Sequence, residues 1–541
     1  MRSWWGWGDL ERAISPDRAA RVASRIAGAL GVAPDVLTGP VPWRDVQIPD
    51  SKLVIPAWLS EIAISDPYER LSHCYGKSYV ELIDGFYGRF RSVPDLVLYP
   101  KSPAEVSACL EWASDRSVTV VPYGGGSSVT GGINPAGAES TSGLVSLDTS
   151  KMNSLIEIDV VSQAAHLGAG VLGPQLERYV GEYGLTLRHY PQSFEYSSLG
   201  GWIVTRSAGH FATGRTRIDD FVESSSMTTP VGSFSSRRLP GDGAGPDRNG
   251  FVIGSEGTFG VMTSAWIRLQ RRPEFKCSAT VRFPQFRSAV DAVRDVVQSG
   301  LRPSNLRLLD ETEAMVAAST NTPGSILMVG FESNWGPAAS LLDAALSIIL
   351  RADAALISRT DSDDPSDGDA VKSTASADPS AAWRSSFLEA PYVRDAMIGR
   401  GILMETFETA VVWAELPELI DQVMEGVREQ LRRLSVPGWV STRLTHAYPD
   451  GAAPYFTVIA KVLKGSEISQ WRSIKDVASR VIVESGGTIT HHHAVGRDHA
   501  SGFESQTDPL FLAGLKALKE HFDPSGMMNP GVLMTRASQQ P

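Results

Sequence analysis

Cysteine is scarce and scattered in this chain. Cys74, Cys109 and Cys277 are far apart, and no two form a C-x-x-C pair. That excludes a disulfide framework and a zinc ribbon, and it suits a reducing cytoplasm, the expected compartment. Positive charge is also short: 50 Lys and Arg stand against 61 Asp and Glu, a net charge of −11, with no basic block. A nucleic-acid partner is thereby excluded. No apolar run reaches the roughly 18 residues that read as a membrane span. The opening residues, MRSWWGWGDLERAISPD, lack the apolar core of a signal peptide, and the closing SQQP is not the peroxisomal S-K-L address. What remains, 42% hydrophobic and 21% charged over 541 residues, is ordinary globular composition in more than one domain. Trp4, Trp5, Trp7 and Trp43 are expected to pack on a neighbouring domain, with a peripheral membrane contact as the alternative.

The most informative stretch is VTVVPYGGGSSVTGG, from Val118 to Gly132. Its β-branched start, Val118 to Val121, reads as a short buried strand that stops at Pro122. Gly124, Gly125 and Gly126 then allow left-handed backbone and close approach to a ligand. Successive N–H groups in such a turn form a nest for an anion, and Ser127 and Ser128 add donors. The loop reads as a pyrophosphate cradle; taken alone, it also reads as a glycine-rich hairpin without a ligand. It is not a P-loop, because Gly132 and Ile133 follow Gly131 where Lys is required. It is not G-x-G-x-x-G either, because Val129 replaces the third glycine.

Along the chain, residues 1–91 read as a mainly helical extension, with helices from Pro16 and across His73 to Asp84. Residues 92–272 carry a β-α-β start, with a helix over Pro103 to Asp115 between two short strands. Residues 273–505 alternate strands and helices, including Phe286 to Gln298 and Pro337 to Ala352, and read as a substrate or cap domain. Within them, polar residues 361–380 are expected to form a mobile loop or lid. Residues 506–541 are expected to return to the first domain.

Three separated stretches match one pattern together: PYGGGSSVTGG at Pro122, QSFEYSSLGGWIVTRSAG at Gln192 and GSEGTFGVMT at Gly254. In that order they resemble the FAD-binding domain of the p-cresol methylhydroxylase and vanillyl-alcohol oxidase superfamily. DPSGMMNPGVL at Asp523 resembles its closing segment. The resemblance implies an α+β, two-domain FAD-binding flavoprotein of that type. It assigns to the cofactor Pro122, Tyr123, Gly124, Gly125, Gly126, Ser127 and Ser128. It adds Gln192, Ser193, Phe194, Glu195, Tyr196, Ser197, Ser198, Thr205, Arg206, Ser207 and Ala208 from the second stretch. The third supplies Glu256, Gly257, Thr258, Phe259, Gly260, Val261 and Met262. With no histidine or cysteine in the first loop, non-covalent FAD is expected.

One branch of the superfamily matches further. HYPQSFEYSSLGGWIVTRSAG, SNLRLLDE, YVRDAMIGRGILMETFET, AAPYF and GTITHHHAVG are similar to the alkyldihydroxyacetonephosphate synthase family. That resemblance implies exchange of the acyl group of an acyl-dihydroxyacetone phosphate for a fatty alcohol, with the flavin as electrophile and no net redox change. It further implies a homodimer. An oxidase or dehydrogenase of small 2-hydroxy acids is the alternative, because those enzymes share the FAD domain. Tyr455 matches the family's proton donor and acceptor, Arg394 the arginine on the substrate phosphate, and Arg307 a further active-site arginine. His491, His492 and His493 match histidines on the flavin's reactive face.

Read on their own, these three histidines fit a metal set, an exposed run or an acid/base role. On a strand, His491 and His493 would share one face and His492 the other. No matching carboxylate or cysteine lies near them at metal-ligand spacing, so no metal is expected. His189 matches a family histidine near the flavin, and Arg443 is a candidate without a counterpart. His73, His166, His446, His499 and His521 are assigned to packing or the surface.

Overall fold

A computed structural model of the chain describes all residues except 34, 36–37, 137–140, 212, 318–321, 363–378 and 536–541. Three principal sheets carry the architecture. In the first, Leu96–Leu98, Gly143–Asp148 and Val118–Tyr123 run parallel, with Ala63–Ile64 antiparallel at the edge. Every residue of Leu96–Leu98 and Gly143–Asp148 is buried, the pattern of parallel strands covered on both faces. Helix Pro103–Asp115 joins Leu96–Leu98 to Val118–Tyr123. Ser102 caps it by accepting from Glu105 N at 3.2 Å, and Pro103 starts it. Near the end of the chain, Val120 N donates to Met527 O at 3.0 Å and Asn529 N to Val120 O at 2.9 Å. The glycine loop is therefore braced from behind by residues some 400 positions away.

The second sheet is antiparallel: Leu155–Asp159, Ala164–Gly168, Val261–Arg268, Val222–Thr229 and Gly232–Ser235, in that order. The third is also antiparallel, ordered Ala355–Ser362, Phe275–Phe283, Ser325–Ser333, Asn305–Leu309, Gly438–Ala447, Gly451–Lys461 and Ile402–Glu408. Val411–Val412 pairs beside Gly451–Lys461. Helices Phe286–Gln298, Ala339–Ile349, Leu416–Arg433 and Glu467–Glu484 cover one face of it, burying Val293, Leu342, Val423 and Ile474 with Phe283 and Phe456. The strand period of two then sorts neighbours: Leu308, Leu444 and Phe456 enter this core, while Arg307, Arg443 and Tyr455 line the opposite, cleft side.

Two helices have the expected bounds, Pro103–Asp115 and Phe286–Gln298. The start of the chain is less helical than expected. Helices occupy Pro16–Leu30, Pro67–Ser72 and Tyr79–Phe86, but Pro40, Pro42, Pro49 and Pro56 limit the intervening chain to short 3-10 turns. The helix expected from His73 starts later, at Tyr79, because Ser78 and Glu81 form a reciprocal capping box. Of the expected lid, residues 363–378 lie outside the described residues. No described helix is long and apolar enough to cross a membrane.

Candidate active site

A cleft of about 1550 Å³, open solvent included, lies between the glycine stretches and the uncovered face of the third sheet. One wall is built from Pro122 through Ser128, Gln192, Ser193, Ser197, Ser198, Thr205, Ser207, Ala208, Glu256, Gly257, Gly260, Val261 and Met262. Arg307, Tyr455, His492 and His493 form the other. Residues more than 300 positions apart in the chain therefore meet at one site.

Other sequence-expected residues point elsewhere, because turns and helical periodicity within a stretch send some side chains outward. Phe194 stacks on Trp202 with ring centroids 6.2 Å apart. Glu195 pairs with Arg12 at the surface, and the buried Tyr196 hydroxyl meets that of Tyr392 at 2.8 Å. Arg206 pairs with Asp219 at 2.6 Å, Thr258 donates to Ser255 O at 2.7 Å, and Phe259 is buried in the core. His491 sits behind the cleft wall, its Nε2 2.6 Å from the Tyr448 hydroxyl. Arg394 is on helix Pro379–Ile398, outside the cleft lining, with Nε 3.6 Å from Asp395 Oδ1.

The glycine loop fits a pyrophosphate in two respects. The backbone N–H groups of Gly124, Gly125, Gly126, Ser127 and Ser128 donate to no acceptor among the described residues. Gly126 is buried and the other four are part-buried on the cleft wall, so this row of free donors suits an anion. Side chains are also excluded there. A Cβ on Gly125 would lie 1.8 Å from Tyr196 O, and Gly126, at φ +67°, would place one 2.0 Å from the Tyr123 hydroxyl.

The histidines differ from the strand reading. Residues 491–493 form a bend rather than a strand, and the bend wraps a buried carboxylate from the end of strand Ile402–Glu408. Glu408 Oε2 accepts from His491 N at 2.6 Å. Its Oε1 accepts from His492 N and His493 N, each at 3.0 Å, and from the Thr490 hydroxyl at 2.7 Å. Burial pushes this carboxyl up, but the three histidines and the backbone donors outweigh it and hold it well below the usual range. The carboxylate missing from the local sequence is thus supplied by the fold. His446, expected to be a packing residue, lines the cleft with its ring 5.0 Å from His491 and 5.5 Å from His492. Ligand atoms of His446, His491 and His492 lie within 4.8 Å of one another. They are already engaged: His491 Nδ1 with His492 Nδ1 at 3.0 Å, and His446 Nε2 with Gly209 O at 2.9 Å.

Tyr455 donates to Thr406 Oγ1 at 2.9 Å, and the Arg443 guanidinium sits 3.9 Å from its ring centre. Burial pushes the phenol pKa up, and Arg443 opposes that rise. Arg443 is itself held by Glu313. Arg307 Nη2 donates to His210 O at 3.3 Å. Sequence reasoning missed Glu408, His446 and Trp7, which also lines the cleft.

These burials carry a pH dependence. Burial lowers His492 and His493 from 6.5 to about 4, and His189, His446 and His499 to about 3. Groups depressed in this way contribute stability above pH 6.5 that is lost as pH falls toward 4. Glu256, Asp310 and Asp498, raised by burial to about 7, act oppositely and lose their contribution as pH rises through 7. The five histidines moved to about 3 or 4 outweigh the three carboxyls moved to about 7, so the melting temperature should fall steadily from pH 6.5 to pH 4.5 in buffered thermal scans. A flat or rising profile would contradict the neutral, buried histidine wall.

Comparison with known proteins agrees with this geometry. The model of an FAD binding domain matches residues 94–236, and that of FAD linked oxidases, C-terminal domain, matches residues 272–533. The chain is 28% identical over 484 residues to alkyldihydroxyacetonephosphate synthase of Dictyostelium discoideum, covering 88% of this chain and 79% of that one. It is 28% identical over 477 residues to the Trypanosoma brucei brucei synthase, covering 87% and 78%. A solved alkyldihydroxyacetonephosphate synthase structure shares the fold, with a TM-score of 0.78, 23% identity, and coverage of 98% of this chain and 97% of that one.

Proposed function

Because the chain belongs to the alkyldihydroxyacetonephosphate synthase-like branch of the FAD-binding flavoproteins, we propose that it exchanges an acyl group for a fatty alcohol on acyl-dihydroxyacetone phosphate. It is an FAD-dependent enzyme. When bound, the flavin supplies an electrophilic ring; the protein's part is to bind, orient and move protons. The observation that carries the proposal is the convergence of Tyr455, Arg443 and the histidine bend on one wall, opposite the free N–H row of the glycine loop.

In this scheme Tyr455 takes the proton from the carbon bearing the ester and later returns one. Arg443 favours the phenolate by its charge, and the Thr406 hydroxyl orients the phenol oxygen. His492 and His493 are neutral at pH 7; with His492 Nδ1 engaged by His491, its Nε2 is the nitrogen left for the substrate oxygens. Arg394 is assigned to the phosphate. Its Nε faces Asp395 Oδ1 at 3.6 Å, while its buried Nη2 has no hydrogen-bond partner among the described residues and is left as a donor. Arg307, unlike Arg394, lines the cleft itself and adds a cation there beside Arg443. A non-covalent flavin, a homodimer and contact with a membrane surface, the source of two long-chain substrates, belong to the same reading.

Anaerobic mixing tests it. Acyl-to-alkyl exchange with the flavin spectrum unbleached is the expected result. Bleaching by lactate or glycolate, with reoxidation by an acceptor and no exchange, would replace the transferase with an oxidoreductase.

A further inference from the structure

We infer that the hairpin at the start of the chain, Arg2 to Asp9, belongs to the cofactor site: Arg2 aims the glycine loop at the phosphate and Trp7 walls the bound nucleotide. The inference rests on the flavoprotein reading and concerns residues outside both matched family regions, the first of which begins at residue 94.

The hairpin is built to hold one shape. Ser3 N donates to Gly8 O and Leu10 N to Met1 O, each at 2.9 Å, and Arg2 bridges Asp9. Gly6 N donates to the Ser3 hydroxyl at 2.9 Å. Gly8 turns at φ +61°, where a Cβ would come within 2.3 Å of the Tyr392 hydroxyl, so only glycine fits the close approach. It is also docked on two sides. Trp7 N donates to Asp395, beside Arg394, while the Tyr68 hydroxyl donates to Arg2 O. The Trp5 ring meets Phe86 edge-on at 5.3 Å. The hairpin thus spans from the glycine loop to the helix that bears Arg394.

Arg2 reaches the loop itself. Its Nη2 donates to Gly125 O at 2.6 Å and to Tyr196 O at 3.2 Å, and its guanidinium lies 5.0 Å from the Tyr196 ring centre. In a planar trans peptide the C=O and the following N–H point in opposite directions. Holding Gly125 O on the outer side therefore aims Gly126 N–H the other way, toward the cleft that Gly126 lines. The charge of Arg2, placed behind the loop, further favours an anion in front of it. Trp7, 7% exposed, packs edge-on against Tyr196 at 6.3 Å and contributes its remaining surface to the cleft.

The test is titration of the flavin-free full-length protein with FAD, ADP and riboflavin. Arg2→Gln should weaken FAD and ADP about tenfold, the loss of one charge-assisted hydrogen bond, and leave riboflavin unchanged. Arg2→Lys, which keeps the charge without the fork, should recover part of the loss. Trp7→Leu should weaken FAD severalfold, beyond the modest fall in melting temperature expected from its lost packing. FAD affinity within twofold of the parent for Arg2→Gln would overturn the inference, and so would equal weakening of ADP and riboflavin, the mark of general damage. A parent protein that takes up no FAD would instead remove the flavoprotein reading.

Discussion

Replacing Tyr455 by phenylalanine is expected to lower turnover by about 10³-fold while FAD stays bound, within the range for loss of a general acid–base group. The change deletes one hydroxyl and keeps the buried ring under Arg443 and beside His493, whose ring centroid is 5.4 Å away. Its direct structural cost is the hydrogen bond to Thr406, about 1 kcal/mol. Thr406→Val removes the same hydrogen bond but leaves the phenol, so it should cost far less activity. The pair of variants separates proton transfer from packing. Turnover of the phenylalanine variant within tenfold of the parent, at full flavin content, would take Tyr455 out of the mechanism.

The second large effect is expected at a residue that does not line the cleft. Glu408→Ala should destabilise the protein by about 3–5 kcal/mol, the usual cost of deleting one partner of a buried charge network. It would leave the N–H groups of His491, His492 and His493 and the Thr490 hydroxyl without their common acceptor. The bend would lose the anion around which it folds, and His492 and His493 would lose their place on the cleft wall. Glu408→Gln keeps the volume but turns an NH2 group toward backbone donors, so it should fail in the same direction. Denaturant unfolding and flavin content measure the effect. Stability within 0.5 kcal/mol of the parent, with activity retained, would show that the histidines hold their geometry without Glu408.

Both predictions depend on how far the site could be read along the chain. Wherever the relevant contacts are local, the sequence sufficed. Gly124 to Ser128 follow a β-branched strand, and their free N–H groups are a property of that short turn. Ser102 and Pro103 start a helix by capping rules that need only neighbouring residues. The triple histidine could be singled out as chemistry-bearing, but not its conformation. The bend depends on Glu408, more than 80 residues earlier and on a different strand. The same distance hid His446 and gave Arg443 no evident role.

By itself, then, the sequence determined the flavin-type cradle, the fold class and the short list of reactive side chains. The cradle follows from the local backbone of the glycine turn, and the fold class and the list from the resemblance of several separated stretches to one flavoprotein family. Only the tertiary structure decided which members of that list share a cleft, which carboxylate organises the histidines, and that the first residues of the chain reach the glycine loop. The reason is physical: a buried charge is stable only where distant donors converge on it, and that convergence exists only once the sheets have packed.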